Sequence, residues 1–370
     1  MKIEVLFPEV ANLYGDLSNI EYLKKCLNDD VEIIETSLND EPAFVKQNDI
    51  NLIFMAGMTE KSQEIVIKKL KPYADRMEEL VDKNQPILLL GNAMEIVGKF
   101  IENEDDSQIR AVGLYHFYSH RDMMHRYSGY YLGKHKGIEI VGFKAQFTTT
   151  YGNNDECYFA ETELGMGINI GTKYEGVQKN NLISTSILGP ILILNPLFTK
   201  ELLKTMGVKE PKLAFEEEVM AAYNERLKKF KKMRDLGWIY AAISFVLLLV
   251  LLFSARAYGA KINISLGHIT IQPSEFIKLL FVFFIASMYN KALTWKKLLL
   301  TTLAAAVQIV MFIASNDLGA ALIFFVVYIM MTFVATRRLI LFLGTTGLGA
   351  LGAFLAAKTV PHVMKRITAW

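Results

Sequence analysis

Acidic residues all but vanish after position 235. Residues 236–370 hold only Glu275 and Asp317 against 11 Lys and Arg, whereas residues 1–235 hold 36 acids against 29 bases. The overall charge of +2 hides this contrast between an acidic soluble part and a basic, largely apolar one. Cysteine is scarce as well. Cys26 and Cys157 are too few for a disulfide framework and lack metal-ligand spacing, so both read as free thiols in a reducing compartment. Met1-Lys2-Ile3-Glu4-Val5 has no basic segment leading into a long apolar run, so no signal peptide is expected and the acidic part should be cytoplasmic. Neither a repeat of 20–50 residues nor a low-complexity tract is present, which argues against a solenoid.

What is abundant is apolar sequence. Segments at about 237–254, 272–289, 297–314, 318–335 and 339–357 each approach the ~20 residues that cross a hydrocarbon core as a helix, predicting an all-α polytopic membrane domain of about five spans. Lys228, Lys229, Lys231, Lys232 and Arg234 precede the first. Lys291, Lys296 and Lys297 lie between the second and third, and Arg337 and Arg338 between the fourth and fifth. Alternation puts all three clusters on the cytoplasmic side and the C-terminal Trp370 outside, with Arg256 and Lys261 as the exceptions. Glu275 and Lys278 are one turn apart at a helix start marked by Pro273, and the positive end of the helix dipole favours a carboxylate there. Charges at such a depth should face each other or a wet interior. Asp317 stands where a helix cap would, ahead of Gly319-Ala320-Ala321. A purely structural role, capping and packing, fits both sites.

The N-terminal part alternates strand-like and helix-like segments and predicts a three-layer α/β domain. Strands are expected at Lys2–Phe7, Ile50–Met55, Pro86–Leu90, 138–150 and 182–188, helices at Ile20–Leu27 and 60–83, and an amphipathic charged helix over 209–232. Gly91-Asn92-Ala93-Met94-Glu95 follows the buried strand at the position of a nucleophile elbow. His116, His120, His125 and His135 are joined by no carboxylate or Cys constellation and read as a solvated, irregular surface segment rather than a metal site.

Two resemblances sharpen this reading. Gln272-Pro273-Ser274-Glu275-Phe276-Ile277-Lys278-Leu279, the preceding Gly259-Ala260-Lys261, the stretch Asp317–Leu322 and the closing Arg366–Trp370 resemble the SEDS family, the FtsW/RodA/SpoVE proteins, over about 235–370. That resemblance implies glycan polymerisation from lipid II beside a class B penicillin-binding protein. It also implies a polar membrane motif of Gln272, Glu275, Lys278 and Asp317, with Glu275 and Lys278 in a buried cluster. Asn263 and Asn316 replace an aromatic and a basic residue usual in the family. The family's large extracellular loop, with the acidic residue tied to polymerisation, lies beyond the matched stretch, so no polymerase activity is expected of these residues alone.

Phe7-Pro8-Glu9-Val10-Ala11-Asn12-Leu13-Tyr14-Gly15-Asp16, Ala56-Gly57-Met58, Gly189-Pro190 and Asn195-Pro196 resemble class I glutamine amidotransferases of the CobB/CobQ type, in particular the GatD-like glutaminases that amidate lipid II with a MurT-type Mur-ligase-like partner. That chemistry needs a Cys thiolate and a His base. The resemblance places the nucleophile at Gly91 and the base at Leu188, and gives Gln146–Thr150 no Arg where the family has one. It therefore implies a catalytically degenerate domain with no catalytic, cofactor or metal residues.

The expected organisation is a GatD-like domain over 1–208, a charged helical linker over 209–235 and a partial SEDS domain over 236–370. The expected function is a membrane protein of peptidoglycan assembly, cell division and cell shape, with a pseudo-glutaminase acting as a binding or regulatory module. The alternatives are a fragment of a SEDS glycosyltransferase using lipid II and an active glutamine amidotransferase. A join of two neighbouring genes is a further possibility.

Overall fold

The apolar alternation of the first 90 residues resolves into a parallel sheet in the computed structural model, which describes residues 1–253, 264–266, 269–271, 273–289, 295–315, 317–336 and 338–359. β1 (Lys2–Leu6), α1 (Ser18–Cys26), β2 (Glu32–Thr36), β3 (Leu52–Met55), α2 (Glu60–Leu70), α3 (Ala74–Asp82), β4 (Ile87–Leu90) and α4 (Ala93–Ile96) follow in order. The strands β5 (Phe100–Glu102), β6 (Gln108–Arg110), β7 (Tyr118–Arg121), β8 (Tyr127–His135), β9 (Ile138–Gln146), β10 (Thr148–Tyr151), β11 (Ala160–Leu164) and β12 (Tyr174–Glu175) come next. β13 (Val177–Lys179), β14 (Leu182–Thr185), α5 (Ile191–Leu194) and α6 (Pro196–Thr205) complete this part.

The main sheet runs β13-β14-β4-β3-β1-β2, parallel except for β13. Successive side chains of a strand face opposite sides. Ile53, Met55, Ile87 and Leu89 therefore pack with Val66, Ile67 and Leu80 of α2 and α3, while Leu52, Phe54, Leu88 and Leu90 pack with Ile20, Leu23, Phe198 and Leu202 of α1 and α6. This is the expected three-layer α/β fold. Strands buried on both faces read as continuous apolar runs, which is why β3 and β4 were visible in the sequence.

Several expected boundaries move. Phe7 has φ 54° and leaves the strand, so β1 ends at Leu6. The run 60–83 breaks at Lys71–Tyr73, where Pro72 cannot supply the next helical N–H. The segment 138–150 is two strands in different sheets: β9 pairs with β8 and β10 with β7. Residues 186–188 leave β14, and Leu188 bridges to Phe143 instead. The β8–β9 hairpin turns through Lys136 and Gly137, both at positive φ as a tight two-residue turn requires. The histidine segment is an irregular surface only in part: His116 and His125 are exposed and outside any strand, whereas His120 lies in β7 and His135 in β8 is buried against Phe159 and Phe198.

The chain divides into two compact units, Met1–Lys231 and Lys232–Trp370. α7 (Glu216–Phe253) crosses the boundary as one helix. The expected helical linker over 209–235 is thus helical only from Glu216, after Pro211 and the positive-φ Phe215, and it does not stop before the apolar segment. Its first turns belong to the N-terminal unit, where Tyr223 Oη donates to Glu139 O at 2.8 Å, Lys231 pairs with Glu139 at 2.7 Å and Phe230 lies against Tyr130.

In the second unit a two-stranded hairpin, β15 (Ile264–Leu266) with β16 (Ile269–Ile271), interrupts the expected all-α pattern. α8 (Pro273–Tyr289), α9 (Trp295–Ala314), α10 (Leu318–Thr336) and α11 (Leu339–Thr359) follow. All five expected segments thus fall on helices. Among the described residues three helices are long and apolar enough to cross a membrane, α7 over Glu216–Leu252, α9 and α10, and Leu339–Ala350 of α11 is a shorter apolar stretch. Phe324 packs against Phe281 and Phe312 at ring separations of 4.5 and 4.6 Å.

One ion pair inside the first unit has both side chains fully buried among the described residues. Lys144 Nζ on β9 meets Glu175 Oε2 on β12 at 2.5 Å and also donates to Met166 O and Gly167 O. The other Glu175 oxygen accepts from Thr185, Ser186 N and Ser186 Oγ. Removing one partner strands a buried charge, so Lys144→Met is expected to cost about 3–5 kcal/mol. Lys144→Met with Glu175→Leu should recover part of that loss in the thermal midpoint of the full chain. Strictly additive losses would mean that the pair is not coupled.

Candidate functional site

Two strand-to-helix turns meet at the C-terminal edge of the parallel sheet. β3 runs out into Ala56-Gly57-Met58-Thr59, and Thr59 caps α2 by accepting from Ser62 N at 3.2 Å. β4 ends in Gly91 at φ +63°, the tight turn of an elbow, before α4. Asn92 binds the two turns together: its Oδ1 accepts from Met58 N at 2.9 Å and its Nδ2 donates to Met58 O at 2.7 Å. The turns approach so closely that a Cβ built on Gly91 would stand 3.1 Å from Gly57 Cα and 3.1 Å from Leu188 Cδ2. Leu188 is held there by reciprocal backbone hydrogen bonds with Phe143, at 2.7 and 3.2 Å.

Above this elbow is a cavity of ≈ 230 Å³ lined by Leu13, Tyr14, Met58–Glu60, Gly91, Asn92, Glu95, Ala145–Thr148, Ser186 and Leu188. The structure therefore brings Gly91, Leu188 and the Gln146–Thr148 stretch together. Cys26 and Cys157 do not line the cavity; Cys26 is buried beside α7, accepting from Ala214 N at 3.4 Å.

Behind the cavity lies a polar network with no signal in the sequence. Gln63 Nε2 donates to Glu95 Oε2 at 2.8 Å and to Asn92 O at 2.6 Å, and Arg121 donates to Gln63 Oε1 at 2.9 Å, to Glu64 and to Asn103. Burial pushes the Glu95 carboxyl up to about 7, although Gln63, the charge of Arg121 and Thr148 pull it down. Asp16, in the loop that carries Leu13 and Tyr14, is also buried, and neither carboxylate oxygen has a partner among the described residues. Burial lifts it to about 6.

In the second unit Lys278 Nζ meets Glu275 Oε1 at 2.6 Å, and the Glu275 side chain is 59% exposed. Asp317 caps α10, with Oδ1 accepting from Ala320 N at 3.0 Å. Gln272, Gly259–Lys261, Asn263, Lys291, Asn316, Arg337 and Arg366–Trp370 lie outside the described residues.

Comparison with known proteins matches both units. The FtsW/RodA/SpoVE model, described as a cell cycle protein, matches residues 220–370, beginning inside α7 and upstream of the expected boundary. Residues of the first unit are similar to the GatD subunit of the lipid II isoglutaminyl synthase (glutamine-hydrolyzing) of Staphylococcus aureus (strain N315), 26% identical over 196 residues, covering 52% of this chain and 79% of that subunit. The chain is also similar to a probable peptidoglycan glycosyltransferase FtsW of Escherichia coli O6:H1, 29% identical over 133 residues, covering 34% of this chain but only 31% of the relative. The chain thus spans about a third of the FtsW length. Among solved structures, a glutamine amidotransferase aligns with a TM-score of 0.39 at 15% identity, covering 56% of this chain and 99% of that one. PurLQS from Thermotoga maritima aligns with a TM-score of 0.36 at 13% identity, covering 61% and 98%. The N-terminal half resembles GatD and the glutamine amidotransferases, and the C-terminal region carries an FtsW/RodA/SpoVE domain.

Two predictions follow from the elbow. Gly91→Cys must hold a side chain at positive φ, costing about 1–2 kcal/mol, and must also displace Leu188. Gly91→Cys with Leu188→Ala should be less destabilised than Gly91→Cys alone in thermal unfolding of the full chain; an equal loss would show that Leu188 is not the obstacle. The second concerns pH. Native Glu95 holds its proton where an ordinary Glu ionises, so between pH 4.5 and 7 the native unit binds more protons than the unfolded one. Its stability should fall as pH rises through that window, by roughly 2–3 kcal/mol, and Glu95→Gln should flatten the slope of thermal midpoint against pH.

Proposed function

We propose that this chain is a membrane protein of peptidoglycan assembly whose N-terminal unit is a glutaminase-like docking module that no longer hydrolyses glutamine. The observation that carries the proposal is the elbow: Gly91 occupies its turn and Leu188 faces it, and neither side chain can serve as nucleophile or base. The elbow, the cavity and the Asn92 clasp remain without these groups, which fits a unit kept for binding rather than for chemistry. The relatives of the two units carry lipid II or peptidoglycan in their names, which supports lipid II or a precursor of its class as what both units attend to. A Mur-ligase-like protein and a class B penicillin-binding protein are the partners that the two resemblances imply. The basic clusters support a cytoplasmic N-terminal unit, with α7 leading into the membrane. A role in cell division or cell shape follows from the FtsW/RodA/SpoVE likeness.

The test is ammonia and glutamate release from glutamine by the full chain in detergent. No turnover above a protein-free blank is expected. Turnover that is lost in Cys26→Ser or Cys157→Ser would place the nucleophile elsewhere and sink the proposal. Turnover that survives both would reveal a chemistry without a cysteine and would sink it equally.

A further inference from the structure

Burial sets His135 apart from His116, His120 and His125. Its side chain is 2% exposed and its ring packs against Phe159 and Phe198. Both ring nitrogens nonetheless meet polar atoms. Nδ1 lies 2.7 Å from Phe159 O, and Nε2 lies 3.4 Å from Glu201 Oε2 on α6. That second contact is longer than an ordinary hydrogen bond, yet both its atoms are buried and have no other partner among the described residues.

Counting hydrogens decides what the contact is. A carbonyl oxygen only accepts, so Nδ1 carries a hydrogen. A neutral ring would then turn the Nε2 lone pair towards a carboxylate oxygen, leaving two acceptors face to face and out of water. One more proton on the pair removes the conflict. Glu201 does not hold it. The hydrogen bond from His135, with the charges of His135 and Lys136, keeps the Glu201 carboxyl below the usual carboxylate range despite its partial burial. Lys136 Nζ stands 3.5 Å from the other Glu201 oxygen. The extra proton therefore sits on Nε2, and the contact is an imidazolium against a carboxylate. Charged groups on the neighbouring elements are paired elsewhere: Lys134 of β8 with Glu163, Glu161 of β11 with Lys173, and Lys200 of α6 with Glu216. Lys204 of α6 is exposed.

The pair fastens the end of β8 to α6, and the same hairpin tip seats α7. In the β8–β9 register His135 stands opposite Ile138, and Lys134 opposite Glu139. Glu139 O accepts from Tyr223 Oη, and the Glu139 carboxylate pairs with Lys231, both on α7. A tip that is free of α6 loosens the seat of those first turns of α7.

We infer that His135 and Glu201 form a proton-dependent latch that closes the β8–β9 tip onto α6, and with it the seat of α7, while Nδ1 and Nε2 both carry hydrogen. Loss of the Nε2 proton opens it. Histidine is the side chain that ordinarily titrates between about pH 5 and 8, so the latch closes towards the acid end of that range and opens towards the alkaline end. Glu201 takes up its own proton only below the usual carboxylate range, so the closed state persists on the acid side down to that point.

The test uses the full chain in detergent micelles, isotope-labelled at the histidine ring nitrogens, with His135 assigned by His135→Gln. At about pH 6 both ring nitrogens of His135 are expected to carry hydrogen, and at about pH 8.5 only Nδ1. Amide exchange corrected for its intrinsic pH dependence should be at least about tenfold faster at the higher pH over 131–139 and 216–231, and little changed in β3 and β4. In Glu201→Gln an amide can donate to a neutral Nε2, so exchange in both segments should change less than about twofold. Glu201→Gln also shifts the His135 resonance and supplies the assignment if His135→Gln fails to fold.

A His135 ring with a single protonated nitrogen at the lower pH would overturn the inference. Exchange over 216–231 that ignores pH, or that responds equally in Glu201→Gln, would do the same. An equal loss of protection in β3 and β4 would mark global unfolding in place of a latch and would also end it.

Discussion

The contact on which the rest of the site depends is the approach of two backbone turns, Gly57 and Gly91, at the ends of neighbouring parallel strands. β3 and β4 are in register, with Met55 opposite Leu89, so their exits emerge side by side. Nothing larger than a glycine at 91 fits without movement, since an added Cβ would meet Gly57 and Leu188 at 3.1 Å. Asn92 then satisfies both backbone groups of Met58, which would otherwise be left without partners at the end of a sheet. The start of α2, the placing of Glu60 and the position of Glu95 all follow from that clasp.

How much of this was legible depends on how far apart in sequence the interacting residues lie. β3, β4 and the helices between them are local and strongly patterned, and they stand where apolar alternation puts them. β2 is an edge strand reading Glu-Ile-Ile-Glu-Thr, with only Thr36 fully buried, so its pattern is too weak to separate from a loop. The strands of residues 100–179 are short and mixed in polarity, and several pair with distant partners, as β5 does with β7 and β7 with β10. Such pairing is invisible to local propensity. Gly91 and Leu188 were legible only through resemblance, since neither carries a chemical signal of its own. Glu95 stood in the elbow, but its partners Gln63 and Arg121 lie about 30 residues away on either side, and no spacing rule joins them.

The second unit obeys a different constraint. In hydrocarbon, helices gain little from burying apolar surface against one another, so packing and interhelical hydrogen bonds must hold them. Among the described residues such links include Ser244 to Gln308 at 2.5 Å, Tyr289 to Thr332 at 2.6 Å and Thr302 to Tyr328 at 2.5 Å. They join α7 to α9, α8 to α10 and α9 to α10, tying the first four helices into one set. Ser, Thr, Gln and Tyr within apolar runs do not disturb hydropathy, which is why the segments were legible and their mutual arrangement was not. The break in the charge pattern near residue 235 suggested a linker, yet α7 runs through it unbroken. Helix geometry is set by the backbone and does not register where water gives way to lipid.

On the proposed non-hydrolytic reading, the two elbow positions are coupled. Leu188 does more than lack a base, because its Cδ2 fills the space that a side chain on Gly91 would need. A chain that first lost the nucleophile would have opened a small gap beside Gly57, and a leucine reaching across from the β14 exit closes it with apolar contact. A chain that first acquired Leu188 would instead have pressed on any larger residue at 91 and favoured glycine there. Either order leaves Gly91 at a positive φ that glycine adopts without strain. Restoring chemistry would therefore require both positions to change together.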